Sequence, residues 1–420
     1  LSCTMVTKGE TKTTQQSNKP LGKVPALPKL LSIDVHVEHL NQVVQLLLND
    51  EDGSSNHLGF VGIKAMGGQG KTVMMSRLAH DPTVLARFSG GVVWINVGDK
   101  LDSMNSLLSQ IASERAFNIK TDKDYTNEQR NDAIVVQLGN MKNGSDIVLM
   151  LDNIWEDSLQ AVQDFLDVCP KDVHVVMTSR DASAVDELGG TAIDLSELSL
   201  EAAVKMLREQ CNEVNLDDED ANALALACGR HVLALCHVGT QLRGTKRGIL
   251  TPKDILKNIQ KKKKLLWKGF KKRGSRQRTD KELGVFACLA LSFDMLDEDD
   301  KEEERKLALG LSEFPAEKSI PLGALRRLCE FDDLGEVRGG VAELEKRSII
   351  SGVTENGGVT LHGFMHEVLK EILKEINSGA TEKTFGTTVV DSALNYFNAF
   401  HFFCDGSRYD SLKTAMEKYG

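Results

Sequence analysis

The chain has 420 residues, 41% of them hydrophobic and 27% charged, with a formal net charge of −10. That length gives room for about two to four compact units with sizeable cores, and the acidic balance argues against nucleic acid as the partner of the whole chain. No apolar run approaches the ~18 residues of a membrane-crossing helix, and the eight cysteines lie scattered without a CxxC pair, which fits reduced thiols of a cytoplasmic protein better than a metal or disulfide framework.

Residues 1–30 read as a disordered linker: TKGETKTTQQSNK is polar and lacks an apolar signal core, and LGKVPALPK is punctuated by proline. The chain opens on Leu1, so a longer protein is expected around it. HVEHLNQVVQLLL, residues 36–48, repeats apolar positions at helical spacing and ends in NDEDGSSN. GFVGIKAM predicts a short strand running into a loop, followed by a helix from about Lys71 to Leu78. Three apolar, β-branched stretches predict buried strands: GGVVWINVG (90–98), SDIVLMLDNIW (145–155) and VHVVMTSRD (173–181). Helical patterns lie between them, as in LDSMNSLLSQIASERA and LQAVQDFLDVC. Strands alternating with helices predict an α/β unit over residues 31–195, its parallel sheet covered on both faces.

The pattern changes after about Leu195. SLEAAVKMLREQC, EDANALALACG and HVLALCHVGTQLRG are consecutive helices of a helical domain, 196–280. That domain ends in a basic run, 257–278, with eleven Lys or Arg and no acidic residue; it reads as a solvated helix or loop, with nuclear entry or an anionic membrane as the other uses of such a run. The acidic runs 217–220 and 297–304 read as solvated faces. LGVFACLALSFDML, LGALRRLCEF, VAELEKR, a strand-like SIISGV, the turn ENGG and VTLHG give a helix, helix, hairpin order over 281–376, which suggests a winged helix. Residues 377–420, with SALNYFNAFHFF, read as a helical tail that starts an incomplete region.

AMGGQGKTV, beginning at Ala65, carries the chemistry. A phosphate cradle needs backbone N–H groups converging on an anion, a helix N-terminus behind them, a lysine for the β/γ phosphates and a hydroxyl for Mg²⁺. Gly67, Gly68, Gln69 and Gly70 supply the N–H nest, Lys71 the cation, Thr72 the metal-facing hydroxyl, and Val73 continues into the helix. Ala65 stands where such loops usually begin with glycine, which a negative φ makes tolerable. A second Mg²⁺ anchor is expected on a carboxylate ending an apolar strand, and LMLDN puts Asp152 there, 81 residues past Lys71. Asn153 follows; an amide orients an attacking water but cannot take its proton, so ATP hydrolysis is expected to be slow. Arg180, ending MTSR, is placed to pair with a γ-phosphate oxygen.

In order, AMGGQGKT, VVWINVG, LMLDNIW, MTSR, LSELSLEAAVKML, CGRHVLAL, LALGLSEFP and VTLHG resemble the NB-ARC module, the nucleotide switch of plant disease-resistance receptors and apoptotic ATPases within the STAND class of P-loop NTPases. The resemblance covers about residues 33–375. It implies a P-loop nucleotide-binding domain, a small helical domain and a winged helix, with ADP held between them at rest, exchange for ATP on activation, self-association, and sensor and effector modules elsewhere in the protein. By position it gives Lys71 and Thr72 the phosphate and Mg²⁺ roles, Asp152 the Walker B role and Arg180 the sensor role. It gives His362 the contact to the ADP β-phosphate, with His366 of MHEVLKEIL as a rival alignment. If His362 is the match, Gly363 replaces the family's Asp. The family's Gly-Leu-Pro-Leu-Ala appears as Arg230, His231, Val232, Leu233 and Ala234, with Val232 in place of the proline beside the nucleotide. Ile33 and Val35 are adenine-contact candidates. A transcription regulator of the same class, with Arg326 and Arg327 of LGALRRLCEF reading DNA, is the alternative; Glu330 on that helix and acidic residues on both sides of the domain weigh against it. Asn153 and the domain order weigh against a fast ATPase motor.

Overall fold

The computed structural model describes residues 24–25, 36–48, 60–98, 126–142, 146–170, 173–180, 182–195, 197–211, 214, 216–244, 251–273, 279–298, 301–314, 316, 319–350 and 358–379. They fall into two compact units. The first draws on residues within 1–27, 38–64 and 72–194, the second on residues within 28–37, 65–71 and 195–420. Ile33, Val35, the helical stretch LDSMNSLLSQIASERA and SALNYFNAFHFF lie outside the described residues.

In the first unit, α1 (Val37–Leu48) precedes β1 (Phe60–Lys64), α2 (Lys71–Ala79), α3 (Pro82–Arg87), β2 (Gly91–Asn96), α4 (Asn127–Lys142), β3 (Ile147–Ile154), α5 (Glu156–Val168), β4 (His174–Ser179), α6 (Ala182–Glu187) and β5 (Thr191–Asp194). The strands pair in parallel in the order β2-β3-β4-β1-β5. This is the expected α/β fold of the P-loop NTPase type. β4 is buried throughout, and β3 at every position but Asn153, because helices cover both faces of a parallel sheet. Val93, Ile95, Leu149, Leu151, Val175 and Met177 meet Ile134, Leu138 and Phe165 in one core. β5 was not expected: TAID has four residues, pairs only with β1 at the sheet edge, and buries one side chain fully. Such a strand is too short to show a pattern in sequence.

The second unit is mostly helical: α7 (Leu200–Cys211), α8 (Asp218–Ala227), α9 (Val232–Gly244), α10 (Pro252–Arg273), α11 (Asp280–Glu298), α12 (Glu302–Ser312), α13 (Leu322–Leu328), α14 (Leu334–Lys346) and α15 (Gly363–Gly379), with β6 (Ser319–Pro321) pairing antiparallel to β7 (Gly358–Thr360). Its core runs from Met206 and Leu207 through Phe286 and Phe293 to Met365 and Leu369. The acidic run 217–220 and the second half of the run 297–304 are helix starts, while Asp297 and Glu298 end α11. Asp217 caps α8 by accepting from the Asp220 N–H at 2.7 Å, and Asp218, Glu219 and Asp220 fill its first turn. Glu302, Glu303 and Glu304 do the same for α12, where negative charge meets the positive end of the helix dipole. The basic run, as far as it is described, is the packed helix α10. Ile255, Ile259 and Leu266 are buried, and Lys262 and Lys263 pair with Asp294 and Asp280 at 2.7 and 2.6 Å.

The strand expected at SIISGV is corrected for its first half, residues 348–350; residues 351–353 lie outside the described residues. Ser348, Ile349 and Ile350 form a turn closing α14, with Ser348 at φ 60° and its N–H bonded to the Glu345 carbonyl. Both isoleucines are buried, so the β-branched run marks a core-filling helix end and not a ladder. The strand ending in VTL pairs instead with β6, a three-residue segment whose proline conceals it in sequence.

Candidate phosphate-binding site

β1 delivers the chain into the loop, and α2 begins at Lys71, so first-turn N–H groups and the positive end of the dipole face the place where an anion is expected. Ala65 is not among the residues with positive φ, so the missing first glycine costs no strain. Gly68 and Gly70 do have positive φ, 82° and 93°, which only glycine adopts freely. The Lys71 ammonium is buried and donates to the carbonyls of Ala65 at 2.7 Å and Met66 at 3.2 Å.

Within the second unit, three loop carbonyls are held from behind. His231 Nε2 donates to Gly67 at 2.8 Å, the Leu233 N–H to Gly68 at 3.2 Å, and His36 Nε2 to Gln69 at 3.0 Å. A carbonyl can only accept, so in both rings Nε2 carries the proton. The Val232 N–H donates to Gln69 Oε1 at 3.4 Å, so Val232 touches the loop through its backbone. His362 sits at the start of α15, where its Nδ1 accepts from the Phe364 N–H at 3.1 Å. Burial pushes the His231 imidazole down to about 3, and the nearby charges of His362 and Lys71 add to the push against the donor bond to Gly67. His231 also stacks on Phe364, centroids 5.9 Å apart. His366, the rival, turns to the Phe314 carbonyl at 2.9 Å.

Within the first unit, Asp152 ends the regular run of β3 and is buried. Its Oδ1 accepts from the Thr72 hydroxyl at 3.1 Å and the Thr178 hydroxyl at 2.6 Å. The β3–β4 register slips between Leu151 and Ile154, a bulge in which Asn153 takes φ 64° and gives its N–H to Thr178 Oγ1 at 2.8 Å. Bulges re-aim side chains beside sites, and Asn is among the few residues that tolerate this backbone. Arg180 stacks its guanidinium over Trp155 at 4.5 Å. Thr72 and Asp152 form a hard-oxygen donor pair suited to Mg²⁺, which keeps water and phosphate oxygens as its other ligands. Among the described residues no group of three or more His, Cys, Asp or Glu could hold a metal alone. Of the two arginines expected to read DNA, Arg326 donates to the Asp332 carbonyl at 3.1 Å.

Sequence reasoning missed His36 entirely and noted His231 only as a departure from a motif. A Cβ on Gly68 would lie 2.7 Å from His231 Cε1 and 3.0 Å from Leu233 Cβ, besides the positive φ. Gly68→Ala is therefore expected to destabilise the second unit by about 1–3 kcal/mol, read as a lowered denaturation midpoint. Gly70→Ala has open space within 4 Å and meets the backbone cost alone, so it should fall less.

Residues 36–217 match the NB-ARC domain family. Over 192 residues, 44% of this chain, the sequence is 25% identical to disease resistance protein RGA2 of Solanum bulbocastanum, of whose length the chain spans 19%. Among solved structures it is similar to a STAND protein, a Signal Transduction ATPase with Numerous Domains, which has a tetratricopeptide repeat sensor and comes from Pyrococcus horikoshii. The TM-score is 0.50 at 15% identity, covering 96% of this chain and 52% of that one. Likeness at that identity speaks for the fold.

Proposed function

With an NB-ARC domain over residues 36–217 as premise, we propose that this chain is the adenine-nucleotide switch of an NLR-type, disease-resistance-like receptor. It holds ADP at rest, exchanges it for ATP, hydrolyses ATP slowly and self-associates once ATP is bound. Lys71 and the amides of Gly67, Gly68 and Gly70 take the phosphates, the Gln69 N–H being turned to the Met66 carbonyl, and Thr72 and Asp152 take Mg²⁺, which would offset the charge of the β and γ oxygens when bound. Asn153 orients water without accepting its proton. The helices and two-stranded ladder of residues 281–376 serve as a winged helix.

One observation supports the reading: the phosphate loop and His362 belong to the same unit, and His231, which donates to the Gly67 carbonyl, stacks on Phe364, two residues past His362. Throwing a switch from 1:99 to 99:1 needs about 5.5 kcal/mol of differential binding, whereas one charged hydrogen bond such as Arg180 to a γ-phosphate contributes roughly 1.5–3 kcal/mol. Mg²⁺ and altered docking of the winged helix must supply the rest. Protein purified without added nucleotide and denatured in acid is expected to release ADP, and His362→Ala is expected to carry markedly less of it. Equal ADP content in the variant would remove His362 from the mechanism.

A further inference from the structure

The loop's amides can only converge if its carbonyls are turned away, and the structure shows what turns them. In a trans peptide the N–H of one residue points opposite to the carbonyl of the residue before. The bond from His231 to the Gly67 carbonyl therefore aims the Gly68 N–H to the other side, and the bond from His36 to the Gln69 carbonyl aims that of Gly70. The Gly68 carbonyl, held by the Leu233 N–H, precedes the Gln69 N–H, which closes the loop's own turn on Met66 at 3.4 Å. His231 is fully buried, and its Nδ1 finds no partner among the described residues. An apolar side chain of similar size would fill the space without an orphaned nitrogen, so what the imidazole adds at this position is the Nε2 donor.

We propose that His231 is a positioning residue for nucleotide binding: from the end of the α8–α9 connection, just before α9, it fixes the Gly67 peptide so that the Gly68 amide presents itself to a nucleoside diphosphate. The inference rests on the nucleotide reading above. His231 touches no phosphate; it acts through the loop, and its stacking on Phe364, itself edge-on to Phe286 at 4.8 Å, ties the loop's shape to the start of α15.

The test titrates ADP into the nucleotide-stripped full chain by calorimetry. His231→Leu is expected to weaken binding about tenfold, the loss of roughly one hydrogen bond's alignment. His231→Gln, whose amide nitrogen reaches the place of Nε2, is expected to bind within about threefold of the parent. His231→Asn, which is too short, should resemble the leucine variant. Hydrogen exchange of the 65–72 peptide without nucleotide should quicken in the Leu and Asn variants and not in Gln, a readout that volume loss alone does not order this way. Parent-like affinity in His231→Leu, or a Gln variant as weak as Leu, overturns the inference while ADP binding by the parent and its loss in Lys71→Ala leave the nucleotide reading standing. Failure of the parent to bind ADP overturns both.

Discussion

Lys71→Ala is expected to weaken ADP binding by at least about 100-fold, close to 2.7 kcal/mol, while the protein stays folded. The size follows from two effects acting together. The ammonium is the loop's only cation, and a charged hydrogen bond to phosphate contributes roughly 1.5–3 kcal/mol. It also holds the Ala65 and Met66 carbonyls at 2.7 and 3.2 Å, so its loss frees the entry of the loop as well. Those carbonyls can turn to water, which limits the damage to stability. Lys71→Arg should recover little, because a planar guanidinium does not fit the place of a compact, buried ammonium. A titration with fluorescent ADP, beside a thermal melt of each variant, measures both sides. Affinity within threefold of the parent would show that the lysine faces no phosphate.

Acid should destabilise the second unit earlier than carboxylate titration alone predicts. Burial pushes both His231 and His237 down to about 3 from 6.5. His231 uses Nε2 on the Gly67 carbonyl, and His237 Nδ1 pairs with Ser292 Oγ at 2.9 Å. Each ring is neutral when folded and takes up a proton only after unfolding. The unfolded chain thus binds more protons below pH 6.5, and the stability these rings contribute, complete above that pH, is lost as the pH falls from 6.5 toward 3. Between pH 6.5 and 5.5 the two together cost about 2 kcal/mol, and about 5 kcal/mol by pH 4.5, against a total of roughly 5–15 kcal/mol for a typical domain. His366, also lowered mainly by burial, adds in the same direction. Urea midpoints at pH 7.5, 6.5 and 5.5 should be nearly level over the first step and fall over the second, with His231→Leu removing about half of the fall. A midpoint that is flat down to pH 5.5 would mean that these rings stay charged or solvated.

The parts legible in the sequence are those whose physics is local. A buried parallel strand must be apolar along its length, so β2, β3 and β4 announce themselves; β5, with one fully buried residue, does not. The phosphate loop is legible because glycine spacing, lysine and hydroxyl are consecutive. Asp152 is legible because it ends an apolar run, but the bulge that turns Asn153 to φ 64° is not, since it depends on how β3 and β4 slide past one another. SIISGV misleads because β-branched residues fill a core as readily as they line a ladder. Hidden altogether is the support behind the loop. His231 lies 164 positions from the glycine it holds and His36 lies 33 from Gln69, and nothing in either local pattern separates such a histidine from an ordinary buried one.

The most direct measurement is a calorimetric titration of ADP into the stripped full chain with and without Mg²⁺, repeated on Asp152→Asn. The account predicts one site per chain, tightened by Mg²⁺ in the parent and indifferent to Mg²⁺ in the variant. No binding heat from the parent at millimolar ADP, or an equal Mg²⁺ response in both proteins, would contradict it.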